Sequence, residues 1–461
     1  MMNYYTFQFE QAYQGYWNIP TLGEKIPGVL HIEKYMVRLD LFWNETPRTS
    51  KMKIDSATGY AYAQKKDKKE CYYFTLFDLY ITYASFFGDK QSQFSFDIAD
   101  LIISDDRNND YNKIKSICIT SELLDSWVID YTRNCFEYEY PSEKVKSYAI
   151  TFTPREPLTI HESDTIHAYI YFGFREAWAT HSGCNMSTRS FLNVEFKEAV
   201  SFDEASNVSE YFIWLFSLLW DNTTSPDFVG FRTEGANFIY KKSERYSYKY
   251  HDSENTLIRS YLSDFSPEEL SSIINKWIDL IIIHANALSS FFETQFNRHI
   301  SPAAAIKNYI SAVDGLSKDF HVKNDGHIKK GKKTEDIDHI YEKIKSESAK
   351  IGLSTDELTR LSNAIYRQSS KDLKLRFPHI INTIENYVDI ILKNDFSDKA
   401  INTRNYITHL KGYKGDLFSK KEYWSLSVCL ERIIISYLLH ELGVKSDIAK
   451  KIVGEITMNE G

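Results

Sequence analysis

Residue types able to do chemistry together stand at Arg404-Asn405-Tyr406-Ile407-Thr408-His409. Histidine as a residue type titrates near neutrality, so it can exchange a proton with a hydroxyl or a leaving oxygen. Arginine stays cationic and can hold two anionic oxygens at once. Asparagine can orient either group. The combination suits acid–base work beside a held anion. Spacing alone is a weak signal, because Arg155/His161, Arg175/His181 and Arg245/His251 also fit Arg-x4–6-His. Composition predicts roughly one such pair by chance. Context separates the four. Pro157 interrupts the first of these other pairs, the second lies in or just after a strand pattern, and the third sits in a polar stretch. Arg404/His409 ends a helical pattern, with another helix to follow. Five residues turn an ideal helix by about 140°, so the pair converges only where the helix ends near His409. Gly412 and Gly415 predict that end.

The elements that must position this segment are helices. Ser266-Pro267-Glu268-Glu269 reads as a capping box with Pro at the first helical position, opening a helix to about Phe296. Ser301-Pro302 opens the next. Ser354–Glu357 is a second box, before a helix to about Gln368. The spacing then predicts helices over His379–Leu392 and Ser397–Leu410, and Ser419–Glu422 is a third box opening a helix to Leu442-Gly443. The expectation is an all-α bundle of about six helices. Before residue 200 the period is two. Tyr5/Phe7/Phe9, Val37/Leu39/Leu41, Phe94/Phe96/Ile98, Ala168–Phe172 and Leu192–Phe196 alternate with polar residues, with turn clusters such as 105–110 between strands. An antiparallel β-sandwich or barrel follows. Asp203–Trp220 reads as one apolar helix, and Asn237–Lys241 as a short strand in a polar connector. The expected fold class is therefore two-domain α+β, with a β-rich domain over 1–230, a connector over 231–265 and a helical domain over 266–456.

Composition narrows the classes. The 461 residues, 43% apolar, supply ample core, and Gly 18 with Pro 10 exclude a fibrous chain. No apolar run reaches the ~18 residues a membrane helix needs. Met1-Met2-Asn3-Tyr4-Tyr5 lacks the pattern of a secretory signal. Five scattered cysteines give neither a disulfide framework nor a zinc ribbon, so a cytoplasmic location is expected. Net charge is −8, but from Ser266 onward 28 Lys+Arg stand against 26 Asp+Glu, so nucleic acid is expected on the C-terminal part.

The Arg404–His409 segment resembles the signature of the HEPN superfamily: Arg, a polar residue that is often Asn, then His a few positions on. More specifically, the chain is similar to the ApeA-like HEPN family of bacterial anti-phage proteins. Its N-terminal half resembles that family's partner domain in Trp17-x-x-Pro20, Gly28-x-Leu30, Phe74-Thr75-Leu76-Phe77-Asp78, and Ile119-Thr120-Ser121-Glu122 before Trp127. The resemblance implies a metal-independent, cofactor-free endoribonuclease. The ribose 2′-OH would attack the adjacent phosphorus, leaving 2′,3′-cyclic phosphate and 5′-OH ends, with His409 and Arg404 catalytic and Asn405 supporting. It also implies a homodimer that pairs two motifs in one cleft, an RNA substrate such as tRNA, and an N-terminal half that senses a phage protein. Alternatives are a catalytically inert HEPN scaffold and the toxin of a toxin–antitoxin pair. Lys411 and Lys414, just past His409, and Lys329 and Lys330, in the loop His321–Lys333, are candidate RNA-backbone contacts. A solvated inter-helix loop is the plainer reading of His321–Lys333. Tyr246, Tyr248 and Tyr250 read as strand packing, and His161, His167 and Cys184 lack metal-site spacing.

Overall fold

The computed structural model describes residues 11–20, 22–33, 36–43, 53–65, 68–87, 91–104, 113–132, 136–139, 149–153, 155–180, 183–223, 226, 228–242, 258–297, 300–317, 320–322, 328–330, 343, 345–346, 354, 357–358, 373–409 and 416–458. Two compact units result, Met1–Ser271 and Ser272–Gly461.

The first unit opens with six antiparallel strands: β1 (Gln11–Ile19), β2 (Gly23–Ile32), β3 (Val37–Trp43), β4 (Lys53–Lys65), β5 (Lys68–Phe87) and β6 (Gln91–Ser104). β1 pairs with β2 and β4, β4 with β5, β5 with β6, β6 with β3, and β3 with β2. The ring is closed, so of the two architectures expected from alternation it is the barrel that forms. Val37, Leu39, Leu41, Phe94, Phe96 and Ile98 are all buried in it. Trp17 is fully buried and packs at 5.6 Å from the Phe74 ring. A Cβ on Gly59 would overlap the Trp17 indole, and one on Gly28 would meet Leu41 Cδ2 at 2.8 Å and Trp17 Cδ1 at 3.0 Å. These glycines serve close approach rather than a turn. The N-terminal positions that carry the family resemblance thus include the packing centre of the barrel.

The unit continues with β7 (Ile114–Thr120), α1 (Glu122–Trp127), α2 (Ile129–Thr132), the separate pair β8 (Phe136–Glu139) and β9 (Ala149–Phe152), then β10 (Leu158–Glu162), β11 (Ile166–Thr180), β12 (Gly183–Val200), α3 (Phe202–Trp220), β13 (Phe228–Arg232) and β14 (Asn237–Lys242). The sheet runs β10-β11-β12-β7-β13-β14-β6. β3 pairs with the first part of β6 (Val37↔Ile98 to Trp43↔Ser92), and β14 takes the remainder (Phe238↔Ser104 to Lys242↔Asp100). The strand expected as an isolated piece at Asn237–Lys241 is therefore woven into this sheet, because Phe238 and Ile239 have an apolar surface to cover and are fully buried. Ser201 and Glu204 form a capping box at the start of α3, whose Phe216 and Trp220 pack on Trp127.

In the second unit, α4 (Pro267–Phe296, beginning in the first unit) and α5 (Pro302–Leu316) start where their caps predict. The Ser266/Glu269 pair is reciprocal, and Ser301 accepts from the Ala304 N–H. α4 is kinked at His284. The box at Ser354–Glu357 is formed, and residues 357–358 are helical; the rest of that expected helix lies outside the described residues. The next helix differs from expectation. α6 covers 373–385, not His379–Leu392. Its buried stripe Leu373, Phe377, Ile380 and Ile384 carries the helix through Pro378. It stops early because Ile390 and Ile391 form β17, parallel to β18 (Ile456–Thr457). α7 (Phe396–His409) follows, then α8 (Tyr423–Leu442) and α9 (Ser446–Val453). The third box also differs: the Ser419 N–H donates to Glu422, but this closes a turn, and α8 starts after it with Glu422 as its N-cap. α5 packs against both α7 and α8. Tyr5–Phe9, the 105–110 turn and Tyr246–Tyr250 lie outside the described residues.

Candidate active site

The segment that could do chemistry is the last two turns of α7. The helix is anchored from within the bundle. Phe396, Ala400, Ile401 and Thr403 are buried, and Phe396 meets the Phe418 ring at 5.8 Å. Thr403, fully buried, donates to the Lys399 carbonyl (2.8 Å) and accepts the Phe418 N–H (2.9 Å). The chain beyond α7 is thereby tied back onto the turn that carries Arg404.

α7 is helical as far as His409, and the stop expected at Gly412 and Gly415 lies outside the described residues. Arg404 and Asn405 are half-buried and His409 is exposed. The Arg404 Nη1 donates to Asn405 Oδ1 (3.0 Å), while Arg404 Nε is buried with no partner among the described residues. The helix is regular through the motif, so Arg404 and His409 stand about 140° apart around its axis. Asn405 lies between them: it holds the guanidinium and, four residues before His409, shares that residue's helix face. One copy of the motif thus presents a cation and an imidazole on separate sides of one helix, with Asn405 between them.

The accessory cations fall differently. Lys411 and Lys414 lie outside the described residues. Lys329 and Lys330 are on a short strand, β16 (Ile328–Lys330), paired antiparallel with β15 (Phe320–Val322) in the register His321↔Lys329. The plain inter-helix loop expected there is a β-hairpin at these positions. Sequence reasoning passed over the neighbouring aromatics. Tyr406, three residues before His409, acts on the Tyr423 phenol, which burial first and Tyr406 second push above the usual tyrosine range. Trp424 follows and is 68% exposed. Lys-Lys-Glu-Tyr-Trp at 420–424 was the available signal, hidden because Ser419–Glu422 read as a cap.

His161 and His167 sit on adjacent strands but serve the fold. His161 is buried, 3.4 Å from the Ser271 hydroxyl, and His167 meets the Thr159 hydroxyl at 3.2 Å. Burial pushes the His161 pKa down. Among the described residues no three His, Cys, Asp or Glu side chains gather into a metal-holding group.

Two family descriptions match the chain. "ApeA N-terminal domain 1" covers residues 12–277, more than half its length, and "Apea-like HEPN" covers 307–448, from α5 into α9. The chain belongs to the ApeA-like HEPN family. It is an anti-phage HEPN protein, and Arg404–His409 falls inside its HEPN match. No curated protein and no solved structure matches it. No helix among the described residues is long and apolar enough to cross a membrane.

Proposed function

We propose that this protein is a defence endoribonuclease: its helical unit cleaves RNA, tRNA among the candidate targets, and its β-barrel unit holds that activity back until a phage protein is sensed. The observation that carries the reading is the end of α7, where Arg404 is held by Asn405 within the HEPN match and His409 is exposed on the same last turns. The chemistry is internal to the RNA. An imidazole accepts the ribose 2′-OH proton, the 2′-oxygen bonds to the adjacent phosphorus, and the P–O5′ bond breaks. The 5′-oxygen then takes a proton, leaving a 2′,3′-cyclic phosphate and a 5′-OH. The guanidinium carries the charge that builds on the non-bridging oxygens. With Arg404 and His409 on the same two turns of α7, two copies of that segment brought together in a homodimer give a cleft lined by two imidazoles and two guanidinium groups. The protein acts in the cytoplasm, where RNA and phage products meet.

The test is incubation of the wild type, Arg404→Ala and His409→Ala with total bacterial RNA in EDTA, with and without phage lysate, followed by mapping of the cut ends. Cyclic-phosphate ends that require both residues establish the nuclease, and dependence on lysate establishes the sensor. A folded, dimeric wild type that cuts nothing under any condition moves the protein to the inert-scaffold reading.

A further inference from the structure

An exposed tryptophan is costly in water, and Trp424 has no ring partner among the described residues. It is the second residue of α8. Six residues before it, Phe418 is tied to α7: its N–H donates to Thr403 Oγ1 (2.9 Å) and its ring meets Phe396. Trp424 thus opens the helix that follows directly on the segment tied to Thr403, the residue before Arg404. Its surroundings are cationic. Lys420 and Lys421 are exposed, with no ion-pair partner among the described residues. Lys399 and Lys393 both act on the Glu422 carboxylate, whose pKa is lowered first by its hydrogen bonds with Ser419. Lys399 also sits over the Phe418 ring at 4.5 Å. Of the nearby acids, Glu422 is engaged with Ser419 and Asp398 pairs with Lys374, leaving Asp416 exposed.

We infer that Trp424 is a stacking platform for a base of single-stranded RNA, with Lys420 and Lys421 holding the flanking phosphates. The inference rests on the RNA-cleaving reading of α7 and adds a substrate class to it: unpaired RNA, because a base must leave its helix to lie flat on an indole. Charge decides between RNA and a second copy of the chain as the occupant. The rim of the exposed ring is lysine-rich, which suits a polyanion and opposes a like-charged copy of itself.

The experiment uses the full chain carrying His409→Ala, so that bound RNA survives, and a short fluorescein-labelled oligouridylate read by anisotropy. Adding Trp424→Ala weakens binding about fivefold or more, as loss of one stacked base requires, while Trp424→Phe keeps most of it. Lys420→Gln with Lys421→Gln flattens the salt dependence. Light scattering is run on the same samples. Oligouridylate binding unchanged by Trp424→Ala overturns the inference. So does weakened binding that accompanies loss of the oligomer, which makes Trp424 a contact between copies. Cleavage by the wild type is scored separately. A wild type that cuts RNA while Trp424→Ala binds normally keeps the nuclease and discards the platform. A wild type that never cuts but binds through Trp424 does the reverse.

Discussion

Replacing Thr403 with Val tests whether the tie behind the motif holds as the structure indicates. The two side chains are nearly isosteric, so the change removes one hydroxyl and leaves packing in place. That hydroxyl accepts the Phe418 N–H at 2.9 Å in a fully buried position. Its own donation to the Lys399 carbonyl is a local bond within the helix and counts for little. An orphaned buried N–H costs about 1–3 kcal/mol. Thr403→Ser makes the complementary change: it keeps the hydroxyl and loses a methyl, worth about 1 kcal/mol with its small cavity. For a unit the size of residues 272–461, each kcal/mol moves the melting transition by about 2–4 °C. Thr403→Val is therefore expected to lower it by about 2–12 °C and Thr403→Ser by less. Calorimetry reads the shift, and amide exchange at Phe418 reads the cause, rising in the Val variant alone. A Ser variant less stable than the Val variant refutes the reasoning, since packing and not the hydrogen bond would then fix this turn.

Three other outcomes are expected. Arg404→Lys keeps the charge but loses the planar fork and the bond to Asn405, so RNA cleavage falls by about a hundredfold or more while the fold is unchanged by circular dichroism. Gly59→Ala drives a methyl into the Trp17 ring and destabilises the barrel by about 1–3 kcal/mol, read by denaturant titration of tryptophan fluorescence. His161 is held neutral in the folded chain, below the pKa of the unfolded one. The unfolded state therefore takes up the proton first as pH falls below about 6.5, and stability drops by at most about 1.4 kcal/mol per pH unit until the folded group titrates. His161→Gln removes that part of the slope between pH 7.5 and 5, measured as melting temperature against pH.

What could be read from the sequence follows what is local. Caps that close on their own helix, such as Ser266/Glu269, name helix starts correctly, because both partners lie within one turn. The same pattern at Ser419/Glu422 closes a turn one step before the helix, since nothing in four residues distinguishes the two. The spacing predicts a helix start at His379, yet the stripe from Leu373 to Ile384 is buried on both sides of Pro378, and tertiary packing outweighs the missing N–H. Alternation named the inward residues of β3 and β6. Closure depended on β5 meeting β6, a pairing that alternation carries no information about. At the candidate site, residue types and their helical setting were legible from Arg404 to His409. Trp424 was not, because its relation to the motif exists only through the fold, by the tie from Phe418 back to Thr403.

Closing six strands into a ring also settles where this chain can be extended. A closed ring has no edge, and β14 takes the part of β6 that β3 leaves open. The twelve-stranded sheet, as described, thus ends at one strand, β10, with five residues and a register break between Thr159 and His161. The edges open to a foreign strand are then β10 and the overhangs of two long strands, Tyr171–Thr180 of β11 and Ile81–Phe87 of β5, each paired on one side alone among the described residues.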